Sequence, residues 1–528
     1  MQRFNHARGR LLAALAAVLA LACGAGTAEA QTGPGFKTSQ APMLVPIVPE
    51  VTVEPIITVG ERLPNGYLFE SIPDGIAVDR ITRNEAEIYV NHELSLVPFP
   101  GIISDFTNSI LSRLVLSRET AGVLDGSYVI PSTANYQRFC SNFLATTEHG
   151  FERPLLLTNE EASDFVNRTG ISWPARPGAE QAGVVVAYDP RSGAYRSIYG
   201  MGRMNHENSM AVPGYGHPVV LTGDDTFTAP SSQLYLYTAA SAEALWNDEG
   251  ELWGFRSDDP LINDYGDLSG DASVSGEFIP VPRSVALGDQ TALENWSNAN
   301  NVFQFIRVED TAYDRNDPNV VYIADTGEPR ALPGSPTGRL TRGPAGPIGP
   351  YPNGRIFRLE LDPADPTRVL DFSILIDGDA LGAFGAGLLS LIHNPDNLET
   401  TERTLLIQED PGSHNQYAPG DSGGTTARIW SYDFATRALV PVARVDQSGD
   451  PAARLGAWES SGIVDASAAF GPGAFLVDVQ AGTLVIDRAP GPGVVYEREG
   501  GQLLLLRIPP GTAGDDDGGG DEDDADED

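Results

Sequence analysis

One tripeptide, Asn-His-Glu, occurs twice in this chain, at Asn91–Glu93 and at Asn205–Glu207, so two of its seven histidines sit in identical settings. The second copy lies in Gly202-Arg203-Met204-Asn205-His206-Glu207, shortly before Gly223-Asp224-Asp225. Oxygen ligands and an arginine are thereby placed close together. Similar chemistry recurs elsewhere. Asp74-Gly75 comes early, and Cys140 follows Gln137-Arg138-Phe139. Leu155-Leu156-Leu157 runs into Thr158-Asn159-Glu160-Glu161. Asn394-Pro395-Asp396-Asn397-Leu398 leads into Leu405-Leu406-Ile407-Gln408-Glu409-Asp410, and Glu459-Ser460-Ser461-Gly462 precedes Phe475–Gln480. The shared form is an apolar strand ending in acids. Carboxylates held rigidly at strand ends suit hard cations, and calcium takes six to eight oxygens. A single Asp or Asn there is ordinarily a turn residue; the repetition is what points to cation binding.

Other catalytic signatures are weak. Gly420-Asp421-Ser422-Gly423-Gly424 has the G-x-S-x-G form, but Pro419 precedes it and Thr425-Thr426 leads into a strand. A nucleophile elbow needs a strand before it and a helix after it, so this segment reads as a loop. The chain contains no P-loop, H-E-x-x-H or C-x-x-C pattern. Histidine is too scarce for a His-rich zinc site, and Cys140 lacks a Cys-His protease signature. Carboxylates and one thiolate make the inventory of a metal-dependent hydrolase. His206 either orients Glu207 or is a packed polar residue.

The elements that must position these groups are strands. Val184–Pro190, Val320–Gly327, Arg355–Pro363 and Arg428–Phe434 are apolar, period-two runs closed by Asp, Pro or Gly turns. Strand–turn–strand units repeated irregularly down the chain are the pattern of an all-β fold, a β-propeller whose repeats have diverged; a pair of β-sandwiches is the alternative. Helical signal is confined to Ser241–Trp246 and Asp105–Ser112. Glu328–Asn353, rich in Pro and Gly, reads as a long loop.

Residues 1–30 read as an export signal, with Arg3, Arg8 and Arg10, an apolar run Leu11–Ala22 and an A-x-A site at Ala28-Glu29-Ala30. That implies a periplasmic or extracellular protein. Ala20-Leu21-Ala22 fits a lipid-anchor motif at Cys23 poorly. Cleavage after Ala30 leaves Cys140 as the sole cysteine, so no internal disulfide is expected; it is either a buried small residue or a metal thiolate. Residues 31–510 form the propeller body. Residues 511–528 hold ten acids and no base and read as a disordered tail. The net charge is −38, and the body stays acidic without the tail, so nucleic acid is a poor partner. No segment is long and apolar enough to span a membrane.

The motifs, taken in order, resemble those of PhoX-type alkaline phosphatases. Gly202–Glu207 is similar to the family's G-R-[FM]-x-H-E, and Gly223-Asp224-Asp225 to its G-D-D. Asn91-His92-Glu93 resembles its early N-H-E, Asn394–Leu398 its P-D-N-L, Cys140 with Thr158–Glu161 its Cys…T-x-E-E, and Glu459–Gly462 with Phe475–Gln480 its closing E-x-T-G…F-V-x-x-Q. The resemblance implies a six-bladed propeller with calcium and iron at its axis, hydrolysing phosphomonoesters outside the cytoplasm, and it is read here as a monomer. It implies Cys140 as an iron thiolate, Glu207 and Glu459 as iron ligands, and Glu160, Asp224 and Asp225 as calcium or supporting oxygens. Glu93 is a neighbouring ligand. Arg203 would fork onto phosphate beside Glu207. The chain departs from the pattern at Ser141–Arg153, at Thr226-Phe227 and at Ala481-Gly482, where the family has His-Pro. Two other classes remain open: a non-catalytic calcium-bound propeller used for attachment, and a calcium-dependent propeller hydrolase of phytate or a lactone.

Overall fold

Runs such as Leu155-Leu156-Leu157, Leu405-Leu406-Ile407 and Leu503-Leu504-Leu505-Leu506 are apolar without interruption, so their strands must be covered on both faces. In the computed structural model they are. It describes residues 33–226, 232–327, 351–380, 391–411 and 425–512. The export segment, most of the acidic tail, residues 328–350 of the expected loop and most of the Gly420–Gly424 motif's surroundings, with the motif itself, lie outside those residues.

Within the unit that begins at Pro34, six antiparallel meanders form six blades. Blade 1 runs Pro73–Ile81, Glu85–His92, Ile110–Ser117, Val123–Ile130; blade 2 runs Phe139–Ala145, Leu155–Glu160, Val185–Asp189, Ala194–Ile198. Blade 3 comprises His206–Ala211, Val219–Asp224, Leu234–Thr238 and Glu251–Ser257; blade 4 comprises Val308–Tyr313, Val320–Asp325, Arg355–Asp362 and Asp365–Asp377. A further strand, Ser273–Pro280, pairs with the outer strands of both, so blades 3 and 4 share one nine-stranded sheet. Blade 5 is Pro395–Thr400, Thr404–Glu409, Arg428–Asp433 and Leu439–Val445, edged by Leu44–Pro46. Blade 6 is Glu459–Asp465, Ala474–Pro490 and Val495–Arg507, and its outer strand is the early segment Thr52–Thr58. The first strand of each blade adjoins the first strand of the next, and that of blade 6 adjoins that of blade 1. The fold is a closed six-bladed β-propeller.

Six apolar clusters fill the six seams. Alternate residues of one strand go to opposite seams because strand side chains alternate faces. Leu503 and Leu505 pack between blades 6 and 1, whereas Leu504 and Leu506 pack between blades 5 and 6. Leu155 and Leu157 face blade 3, and Leu156 faces blade 1. Leu405 and Ile407 face blade 4, and Leu406 faces blade 6. Fully burying one such side chain is worth about 2 kcal/mol.

The expected helix at Ser241–Trp246 forms over Ala242–Trp246, with the Ser241 hydroxyl capping the Ala244 amide. The expected helix at Asp105–Ser112 does not. Ile103–Asp105 pairs in parallel with Val495–Glu497, and Ile110–Ser117 is the third strand of blade 1, where neighbouring strands satisfy its backbone. The longest helix among the described residues, Gln290–Ala299, is capped by Asp289 and lies outside the two expected helical segments.

Candidate metal centre at the propeller axis

The innermost strands all begin near the axis, and each begins with a side chain able to bind a metal. These are Asp74, Cys140, Glu207, Glu309, Asp396 and Glu459, one per blade, at the first or second position of the strand. A second tier comes from the residues that follow the second strands: Glu93, Glu161, Asp225 and Asp410. Ligand atoms within 4.8 Å of one another form four groups: Asp74–Glu93–Cys140, Cys140–Glu161–Glu207, Glu207–Glu309–Asp396 and Asp396–Asp410–Glu459. Cys140, Glu207 and Asp396 each belong to two groups, so the four merge into one arc around the axis.

Of the residues singled out from the sequence, Cys140, Glu207, Glu459 and Glu93 come together here. Asp225 lies beside them, its carboxylate gripped by Arg307 at 2.8 and 2.6 Å. Glu160 and Asp224 do not join the groups. Consecutive strand residues point opposite ways, so each pair of acids divides. Glu160 accepts from Arg168 at 2.6 and 2.7 Å and from the Gln137 amide at 2.8 Å, tying down the segment ahead of its own inner strand. Asp325 does the same through the Ile306 and Arg307 amides, and Glu409 through the His393 amide. Asp224 caps Thr226 through its amide and hydroxyl. Its partner in sequence, Asp225, takes the axial direction, as do Glu161 and Asp410.

Arg203 is also elsewhere. Its guanidinium lies over the Tyr199 ring, donates to the Gln181 carbonyl and sits 3.8 Å from Glu180. The arginine that reaches the axial carboxylates is Arg307, which also pairs with Glu309 at 3.1 Å. His206 bonds Thr222 and the Gly202 carbonyl rather than Glu207, and burial lowers it to about 4, so it is a neutral packed residue. The twin tripeptides occupy unlike places: Glu93 follows a second strand, whereas Glu207 opens an inner strand.

Asp74, Glu161, Asp396 and Asp410 lie in motifs singled out above but outside the expected ligand set, and Glu309 lies in none of them. An acid at the start of an apolar strand, as in Glu309-Asp310-Thr311, is the complementary signal. Gly75, next to Asp74, has a packing role: a Cβ there would meet the Asn142 amide at 2.4 Å, so only glycine lets the inner strands of blades 1 and 2 approach this closely.

The electrostatics are severe. Eight carboxylates and a thiol share the arc, and burial raises Glu161, Glu207, Glu309, Asp396 and Glu459 well above the usual carboxylate range. Burial and the nearby Asp74 charge push Glu93 to about 8, and burial lifts Asp74 to about 6. The Cys140 thiol is pushed up by burial and by Asp74 and Glu207, and it lies 3.3 Å from Asp74 Oδ2 and 3.1 Å from Glu207 Oε1. A buried anionic cluster of this kind is stable only when protonated or when cations compensate it. The donor set fits both expected metals: oxygen-rich groups suit calcium, and a thiolate among carboxylates suits iron.

The divided acid pairs make a direct prediction. Glu160→Gln should destabilise the fold by about 2 kcal/mol, because it weakens the charged fork with Arg168, which keeps only Glu180 at 2.7 Å as its ion-pair partner, while metal content stays unchanged. Glu161→Gln should fold normally and lose metal. Thermal melts with metal analysis of both variants check this; metal loss in Glu160→Gln alone would reverse the assignment.

No protein-family model matches the sequence, and no curated protein does. Among solved structures, similarity is found to a protein of unknown function from Dyadobacter fermentans (8% identity, 87% of this chain and 100% of that one, TM-score 0.42). It is also found to a Trypanosoma rangeli sialidase (10%, 89% and 60%, 0.29) and a Bacteroides thetaiotaomicron endo-arabinase (10%, 71% and 96%, 0.28). At these scores the likenesses decide nothing about activity, and the chemistry must be argued from the axial residues themselves.

Proposed function

We propose that this chain is a secreted, metal-dependent phosphomonoesterase resembling the PhoX-type alkaline phosphatases, with calcium and iron held in the axial arc. The observation that carries this is the single metal-capable side chain at the head of every inner strand, with Cys140 among them and three residues shared between groups. Cys140, Glu161 and Glu207 would hold iron; Glu309, Asp396, Asp410 and Glu459 would hold calcium or bridge to it. Bound there, such cations neutralise phosphate oxygens and lower the pKa of a water nucleophile. The protein's own part is rigidity. Ser141 Oγ fixes Glu207 Oε1 at 2.9 Å, Gln480 Nε2 fixes Asp74 Oδ2 at 2.9 Å, and Arg307 anchors Asp225 and Glu309. Phosphoryl transfer asks mainly for such positioning and charge compensation. Export of the chain follows from the signal read at residues 1–30.

The position of Arg203 favours a second reading, a calcium-bound propeller without catalysis, because the expected phosphate clamp is absent from that residue. Metal analysis of protein purified without chelator, together with p-nitrophenyl phosphate turnover, separates the two. Iron and calcium with turnover support the phosphatase; calcium alone without turnover supports the non-catalytic propeller. Cys140→Ser should keep the fold and the calcium but lose iron and any thiolate-to-iron absorption band, since hydroxyl is a far poorer ligand for iron.

A further inference from the structure

Outside the four axial groups, Asp478 is an unexplained buried acid. It sits on the second strand of blade 6 and is fully buried, and neither carboxylate oxygen meets a hydrogen-bond donor. Buried carboxylates are normally paired, hydrogen-bonded or bound to a metal. Its direction is set by the strand. Asp478 and Gln480 are two residues apart and share a face, and Gln480 reaches Asp74. Asp74 is the charge that acts on Asp478, and Asp478 in turn acts on the buried phenol of Tyr67. Its strand partners are Ser461 and Leu503, and Leu503 belongs to the apolar seam between blades 6 and 1. Asp478 therefore faces that seam close to Asp74, whose Oδ2 takes both Gln480 and Cys140 and whose Oδ1, like both oxygens of Asp478, meets no donor.

We propose that Asp478 and Asp74 hold a hard cation of their own, an oxygen-ligated calcium-type site in the seam between blades 6 and 1. This ion is additional to any held in the arc, with Asp74 shared between the two. It locks the seam that closes the propeller, where the early strand Thr52–Thr58 completes blade 6. The site takes a calcium-class ion because the groups that face it are oxygen donors. It does not depend on the chain being a phosphatase.

The test compares the full chain with Asp478→Asn. Both are loaded with calcium and dialysed, and bound calcium is counted by mass spectrometry beside a thermal melt with and without calcium. The expected result is one calcium fewer per chain in the variant and a smaller rise in Tm on adding calcium, with p-nitrophenyl phosphate turnover, where present, retained. Equal calcium content with an unchanged or higher Tm would overturn the proposal, because Asp478 would then be a neutral buried acid. Should the variant fail to fold, anomalous diffraction from wild-type crystals soaked in terbium decides. A peak beside Asp478 supports the site whether or not the arc is filled. Peaks in the arc with none beside Asp478 overturn it while leaving the axial centre intact.

Discussion

Glu207→Gln should abolish p-nitrophenyl phosphate turnover, with a loss of about 1000-fold or more, while the protein stays folded. Glu207 belongs to two of the four axial groups and accepts from both Cys140 and Ser141, so the change removes a carboxylate that two candidate metal groups share. Losing about 4 kcal/mol of transition-state stabilisation corresponds to ~1000-fold in rate. Folding should survive because glutamine keeps the shape and relieves repulsion among buried acids. In the metal-free state the variant should melt at or above the wild-type temperature. Retained turnover with normal metal content would remove Glu207 from the centre. An unfolded variant would show that its role is structural.

Chelated protein should be most stable in mild acid and should weaken as pH rises, with calcium reversing the loss. The sign follows from the direction of the shifts. Glu93 moves from its ordinary 4.5 up to about 8, and Asp74 from 3.8 up to about 6. A carboxyl whose folded pKa is raised binds its proton more tightly in the folded state. Its stabilising effect is complete below the unfolded pKa and disappears as pH climbs through the folded one. For these two groups the window runs from about pH 4 to about pH 8, and the Glu93 share is on the order of 5 kcal/mol. Melting the chelated protein between pH 5 and 8, then repeating with excess calcium, measures it. Flat stability across that range without metal would mean that the arc is compensated in some other way. In the calcium-loaded protein the dependence should vanish, because the cation replaces the protons.

Much of the architecture is legible in the residues. Uninterrupted apolar runs such as Leu503–Leu506 demand strands covered on both faces, and the recurrent Asp and Gly turns demand short meanders, which leaves a propeller or a pair of β-sandwiches. The side-chain inventory of the axis was legible in kind: carboxylates and one cysteine, with histidine scarce. Cys140, Glu207, Glu459 and Glu93 were also legible as residues, because each belongs to a motif whose order along the chain is informative.

Tertiary structure decided which member of each acid pair does what. Glu160 and Glu161 are equivalent as letters, yet a one-residue step along a strand sends one to Arg168 and the other to Cys140. The direction depends on strand register and on where the inner strand begins, which the partner strands set. The six metal-capable residues that head the inner strands are likewise spread at unequal intervals from Asp74 to Glu459, because insertions of different length separate the blades. Their equivalence appears only once the strands converge on an axis. Composition and pattern thus determined that this chain makes a carboxylate-rich, all-β fold of short meanders. The closing of six blades into a ring decided which carboxylates meet, because proximity among residues hundreds of positions apart is a property of the closed ring alone.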